Sequence, residues 1–223
     1  FCLVNKAFRP MRYRSIDNLI AQARLGLKYR KRLGLVGPAI SDHPQIEELL
    51  VKLRQTGAEL SISSLRVRPL SRIVLGEMAK GGARTISLAP EAGSQRLRQV
   101  IKKSISEDNI LEAMDKVAEQ GIRLLKLYFM IGLPSETDED IEEIINLTLS
   151  CKNILDRRQS GCRLALTISP FVPKAGTPFQ WLPMEHLPTL NRRLSLLKSN
   201  LSPKGIKLKY ESPAWSQVQG VLA

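Results

Sequence analysis

Cysteine and histidine are both scarce in this chain of 223 residues, which has three of the first and two of the second. Cys2, Cys151 and Cys162 are too few and too irregularly spaced for a disulfide framework in a domain of this size. A reducing compartment is therefore expected, with any role for these residues falling to their thiolates. His43 and His186 stand alone, without ligand-like spacing to the cysteines, which argues against a zinc site. No apolar run approaches the ~18–20 residues of a membrane span, and the first residues lack the basic-then-apolar layout of a secretory signal. The chain is expected in the cytoplasm, with no membrane partner. A P-loop, a dinucleotide-binding glycine fingerprint and a nucleophile elbow are absent too, which removes the usual sequence support for nucleotide-phosphate and hydrolase chemistry. A starting methionine is also missing: Phe1 stands inside a motif taken up below, so the sequence reads as a piece whose N-terminus lies upstream.

What the chain holds in quantity is hydrophobic residues, 43%, and positive charge, a net +13. The first suffices for one substantial core, so a single α/β domain is the default. The second is regional. Residues 1–32 carry nine basic side chains and one acidic, net +8, whereas residues 105–145 carry three basic and eleven acidic, net −8. A basic face of this kind attracts polyanions such as RNA through phosphate contacts and counterion release, or simply keeps exposed helices solvated.

Short aliphatic or β-branched runs predict strands at Leu33–Val36, Glu59–Leu65, Arg84–Leu88, Leu124–Ile131 and Arg163–Ile168. Start signals predict helices between them. Ser15 opens 16–29, and Asp42 with Pro44 opens 45–55. Ser104 and Glu107 have capping-box spacing ahead of 109–119, and Thr137 with an acidic first turn opens 138–153. Gly57 and Gly121 close two of them. This alternation implies right-handed βαβ crossovers, a parallel sheet and functional residues at the C-terminal strand ends. After about residue 185 a basic amphipathic helix, 187–201, a Pro-Lys-Gly turn and a short run, 206–210, read as a closing element.

The loops at those strand ends are rich in polar residues, glycine and proline. Glu91, in Leu88-Ala89-Pro90-Glu91-Ala92-Gly93-Ser94, is either a solvated carboxylate in a turn or an acceptor for ribose hydroxyls or an ammonium group, with Gly93 allowing a ligand to approach closely. Lys103 is read as ending the next helix, where it complements the dipole. Gly132-Leu133-Pro134-Ser135-Glu136-Thr137 alone reads as a tight turn into a capped helix. The stretch Ser169–Phe179, with three prolines and two aromatics, is stiffer than a surface connection requires and is expected to cover a pocket.

Taken in order, Phe1-Cys2 followed by Arg9-Pro10, Gly37 to Asp42, Pro90 to Ser94, Ile131 to Pro134 and Pro170 to Phe179 resemble the radical S-adenosylmethionine (radical SAM) enzymes over nearly the whole chain. The resemblance is strongest to proteins carrying a cobalamin-binding domain ahead of the radical SAM core, with methylthiotransferases as relatives. It implies an α/β fold, a partial (β/α)6 barrel of parallel strands. Residues 1–185 would be the core, lacking its first strand and first two cluster cysteines, and 186–223 would close the barrel. Phe1-Cys2 is similar to the last pair of the family's Cys-x3-Cys-x2-Cys loop, which makes Cys2 the implied metal ligand. Three thiolates are needed there because the fourth iron of the 4Fe-4S cluster stays open to SAM.

The implied activity is reductive cleavage of SAM to a 5′-deoxyadenosyl radical that modifies an unknown substrate, by methylation or methylthiolation, with this piece alone inactive. Implied partners are a reductase such as flavodoxin or ferredoxin and a substrate such as RNA or a cofactor precursor, with cobalamin entering through an upstream domain. By position, Gly37, Ser41 and Asp42 would lie beside the methionine amino group, and Ser64 with Arg66 beside its carboxylate or the ribose. Glu91, with Gly93 and Ser94, falls where the family places a polar ribose or carboxyl partner. Gly132, Leu133 and Pro134 would form the wall beside adenine. Lys103 stands where several relatives have arginine, offering charge without a bidentate fork. The competing reading, from a non-enzyme class, is a basic α/β module that binds RNA without cluster chemistry.

Overall fold

A computed structural model of the chain describes residues 3–7, 10–37, 40–62 and 64–222, with the side chains of 5 and 6 left aside. Phe1, Cys2, Arg9 and two residues of the stretch from Gly37 to Asp42 therefore lie outside the described residues. In chain order the elements are α1 (Val4–Ala7), α2 (Ile16–Leu27), β1 (Arg32–Leu35), α3 (Ile46–Gln55), β2 (Glu59–Ile62), α4 (Arg72–Lys80), β3 (Thr85–Glu91), α5 (Gln95–Val100), α6 (Glu107–Ala118), β4 (Leu124–Ile131), α7 (Asp138–Arg157), β5 (Arg163–Pro170), α8 (Leu187–Leu201), β6 (Lys207–Tyr210) and α9 (Pro213–Leu222).

β1 pairs with β2, and β3, β4, β5 and β6 follow one another in a second sheet, every pairing parallel. An isolated bridge from Leu65 to Leu88 links the two. Parallel strands in chain order, joined by right-handed crossovers, curl into an arc of a barrel with the helices outside. The C-terminal segment joins this sheet through β6, which extends it beyond β5. Among the described residues β6 does not pair with β1 to close it.

Burial separates the two faces of the arc. On β4, Leu125, Leu127, Phe129 and Ile131 are buried while Leu124, Lys126, Tyr128 and Met130 are half-buried, and β5 alternates in the same way. The buried set joins Ile110, Met114, Ile141, Ile144 and Leu194 from α6, α7 and α8 in the main core. Each such side chain contributes roughly 1.5–3 kcal/mol by leaving water.

Several helix starts differ from the sequence reading. Ser15 caps α2 by accepting from Asn18 N–H, and Thr137 opens α7 ahead of an acidic first turn, as the sequence predicts; Asp140 completes a capping box there that was not read from the sequence. The box on α6, however, is Ser106 with Asn109 rather than Ser104 with Glu107, because an asparagine amide oxygen reaches back as well as a glutamate does. α3 begins after Gln45, and Asp42 sits instead in a 3-10 turn, where it pairs with Arg66. α5 ends at Val100, before Lys103, and α4 and α9 were not read from the sequence.

Candidate functional site

Glu91 occupies the tip of β3 in a backbone conformation that few residues adopt. Leu88 pairs with Leu127 but Glu91 pairs with Phe129, so β3 carries one extra residue between them, a bulge that turns the end of the strand. Glu91 emerges at φ +72°, in the left-handed region that costs a non-glycine residue free energy. Its carboxylate meets Lys103 Nζ at 3.2 Å, with both side chains partly exposed. Lys103 thus answers Glu91 rather than the dipole of α5.

The loop after Glu91 is fixed from below by Arg98, which is 1% exposed. Its guanidinium donates to the carbonyls of Ala92 (3.0 Å), Gly93 (2.6 Å) and Ile105 (3.2 Å) and to Gln95 Oε1 (3.0 Å). Sequence reasoning missed Arg98, since an arginine is expected at the surface unless paired and nothing in its neighbourhood marks it otherwise.

Gly93 also has a different role from the one expected. A Cβ there would overlap the backbone at Glu143 and Ile144, so the glycine admits α7 rather than a ligand. The Ser94 hydroxyl is likewise engaged, capping α5 at Leu97 N–H and donating to Asp140. Asp140 additionally accepts from Arg96 and from Thr137 N–H. Burial pushes Asp140 upward, but the bonds from Ser94, Thr137 and Arg96 hold it below the usual carboxylate value.

Leu133 is buried with Ala92, Leu97, Ile101 and Phe171, so its side chain is a floor beneath the loops rather than an exposed wall. Phe179 packs edge-on to Phe171, with centroids 5.9 Å apart. The proline-rich loop after β5 thereby buttresses the Glu91 loop. Next to it, Gly132 takes φ +77°, and its N–H donates to Glu136. The Glu136 side chain is 1% exposed and meets Arg193 Nη1 at 2.7 Å. Burial pushes Glu136 up to about 7 despite the hydrogen bond from Gly132 and the charge of Arg193. Pro134 is half-buried beside them.

At the ends of β1 and β2 a second group gathers. The Ser41 hydroxyl accepts from Arg66 N–H at 3.3 Å, and Arg66 pairs with Asp42 at 2.5 Å. Gly37 and Ser64 are exposed nearby in sequence. The bridge from Leu65 to Leu88 sets this group beside β3.

Two of the cysteines drop out as thiolates. Burial pushes Cys151, on α7, up to about 12 and Cys162 up to about 11, so both are inert thiols of the core. Cys2 lies outside the described residues. Among the described residues no group of three or more His, Cys, Asp or Glu is arranged to hold a metal ion. No described helix is long and apolar enough to cross a membrane.

Residues 1–148 match the family model described as the radical SAM superfamily. The chain belongs to that superfamily. Radical SAM proteins are enzymes, and the arc of parallel strands found here is the fold of their partial barrels. The chain is 36% identical over 214 residues to an uncharacterized protein of Methanocaldococcus jannaschii, a match covering 95% of this chain and 46% of that protein. It is 25% identical over 219 residues to the tRNA-2-methylthio-N(6)-dimethylallyladenosine synthase of Bacillus thuringiensis (strain Al Hakam), covering 91% of this chain and 41% of the relative. The chain thus spans less than half the length of these relatives. Streptococcus suis SuiB shares the fold with a TM-score of 0.62 at 12% identity, covering 91% of this chain and 44% of that one. Coproporphyrinogen III oxidase of Escherichia coli, a radical SAM enzyme, does so at 0.58 and 16% identity, covering 85% and 46%.

Proposed function

We propose that this radical SAM core binds SAM across the strand ends at Glu91 and Gly132, within a longer protein that holds a 4Fe-4S cluster, cleaves SAM reductively and modifies a substrate by methylation or methylthiolation. The observation that carries the reading is Glu91. A bulged strand end, a left-handed backbone and a buried arginine beneath it converge on one partly exposed carboxylate with a lysine at its side. Strain of this kind persists where the surroundings over-determine it, commonly at a functional site.

The donor chemistry suits a zwitterionic nucleoside. The Glu91 carboxylate accepts from ribose hydroxyls or an ammonium group, and Lys103 offers positive charge to a carboxylate. The left-handed turn at Gly132, whose N–H is held by Glu136, stands at the neighbouring strand end. Asp42 is already committed to Arg66, which leaves Ser41 and Gly37 as the contacts proposed for the amino-acid end.

The described residues do not fit a cluster by themselves, because two of the three cysteines are sealed in the core. Cys2 is the proposed ligand, completed by two cysteines at the Cys-x3-Cys spacing before it in the parent protein. In this superfamily the cluster supplies the electron for SAM cleavage. The part assigned to this chain is to bind and orient SAM. A cobalamin-dependent variant of the chemistry would need a domain outside this chain.

The test uses the full-length protein, reconstituted anaerobically. Glu91→Ala is expected to weaken SAM binding about tenfold, the loss of one charge-assisted hydrogen bond, while iron and sulfide content stay at the wild-type level. Unchanged SAM affinity would remove Glu91 from the site. Absence of cysteines at the motif spacing before Cys2 would remove the cluster chemistry.

A further inference from the structure

The inner face of the arc carries an unusual set of residues. In a filled barrel this face is packed with apolar side chains. Here the residues opposite the buried set on β4 and β5 include Lys126, Tyr128, Thr167 and Ser169, all half-buried. Register continues the pattern onto β6: Lys126 aligns with Ala165 and Lys207, and Tyr128 aligns with Thr167 and Lys209. Register partners in a parallel sheet share a face, and Leu208, between the two lysines, packs on the main core behind it. Lys126, Lys207 and Lys209 therefore project to the same inner side.

Lys126 and Lys207 stand two strands apart, about 9–10 Å, with the small Ala165 between them, and Lys209 is about 7 Å along the strand from Lys207. None of the three forms an ion pair with a described residue, nor do the hydroxyls of Tyr128, Thr167 and Ser169 hydrogen-bond to one. Of the carboxylates nearby, Glu91 is held by Lys103, Glu59 lies at the far side, on β2, and Glu211, two positions after Lys209, is exposed and forms no ion pair with a described residue. Edge lysines on β6 also discourage sheet-to-sheet pairing, but that role does not explain Lys126, which lies on the interior strand β4.

We propose that the Lys126, Lys207 and Lys209 group binds the anionic end of the substrate, and that this substrate is a small phosphate-bearing molecule. The assignment of this inner face to substrate rests on the SAM-binding reading of the strand ends. The depth of Lys126, the half-buried member of the group, selects a small molecule over a nucleic acid, with Lys207 and Lys209 exposed on the edge strand beside it. Lys126 lies five positions before Ile131 at the tip of β4, about 16 Å along the strand. A terminal phosphate can descend into the arc, whereas a polymer backbone would run across its mouth. The three ammonium groups act as point charges on a phosphate dianion, and the hydroxyls above them line the path to the strand ends.

Inorganic pyrophosphate is the probe, titrated calorimetrically into the full-length protein, with a short oligouridylate as competitor and SAM affinity read on the same samples. Pyrophosphate is expected to bind, with Lys126→Gln and Lys207→Gln each weakening it about tenfold and Lys126→Arg retaining it. The thermal midpoint and SAM affinity should not move, because Lys207 and Lys209 are exposed and none of the three lysines holds an ion pair with a described residue. Equal pyrophosphate affinity in the triple glutamine variant and the wild type would overturn the assignment. Efficient displacement by oligouridylate that depends on Lys126 would overturn the choice of a small molecule. A wild type that binds SAM but not pyrophosphate removes the lysine site alone. One that binds pyrophosphate through the lysines but not SAM removes the strand-end reading instead.

Discussion

Gly93 looks, in sequence, like room left for a ligand, yet its missing Cβ is what lets α7 approach the Glu91 loop. The obstruction is helix backbone, which cannot rotate aside as a side chain can. Gly93→Ala should therefore destabilise the protein by about 2 kcal/mol or more, the cost of overpacking. Denaturant unfolding of the full-length protein would show it, and an unchanged midpoint would mean that α7 yields. Glu91 and Gly132 were legible as candidates because acidic, glycine and proline residues stood out at predicted strand ends. Arg98 and the true role of Gly93 were not, because their partners are set by packing: one is a cage of carbonyls, the other a helix some fifty positions further along the chain.

Between elements, a buried ion pair ties the start of α7 to α8, beside the exposed pair of Arg192 with Asp138 and the apolar contacts of the two helices. Arg193 on α8 meets Glu136 at 2.7 Å and the Glu136 carbonyl at 3.0 Å, and also reaches Asp138 and Glu185. Protonating Glu136 thus leaves Arg193 with other carboxylates. Burial sets the Glu136 pKa near 7 against 4.5 for the free group. A folded-state value above the unfolded one gives stability that is full below about pH 4.5 and lost as pH rises through about 7. Glu136→Gln should flatten this part of the profile, so that the variant gains about 2–3 kcal/mol on the wild type between pH 4.5 and 7.5. Chemical denaturation at those two pH values measures it. A constant difference would show that Glu136 does not titrate there. The sequence predicted α7 and its acidic first turn well, since Thr137 and the charges are local signals. It gave no sign that Glu136 would be drawn inward, because Arg193 lies on another helix.

At the scale of the whole chain, the arc is two sheets of unequal strength. β3, β4 and β5 are seven or eight residues long, and β4 and β5 alternate fully buried with half-buried positions. β1 and β2 have four residues each, and no residue of β1 is buried. Their link to the larger sheet is the bridge from Leu65 to Leu88 together with core contacts from α3 and α4. Parallel pairing this short holds few protected amides, so the β1–β2 unit should open below the global unfolding free energy. Ser41, Asp42 and Arg66 sit on that unit, whereas Glu91, Lys103 and Gly132 sit on the stronger sheet. A ligand spanning both would stabilise the weaker part more, since it binds only when the two halves are in register. In hydrogen exchange of the full-length protein, amides of 32–35 and 59–62 should exchange at least about tenfold faster than those of 124–131 and 163–169, a gap of ~1.4 kcal/mol or more in opening free energy. SAM should narrow that gap. Equal protection without SAM would mean that the bridge and the shared core already weld the arc into one cooperative unit. A gap that SAM leaves unchanged would place its binding wholly on the β3 to β6 side.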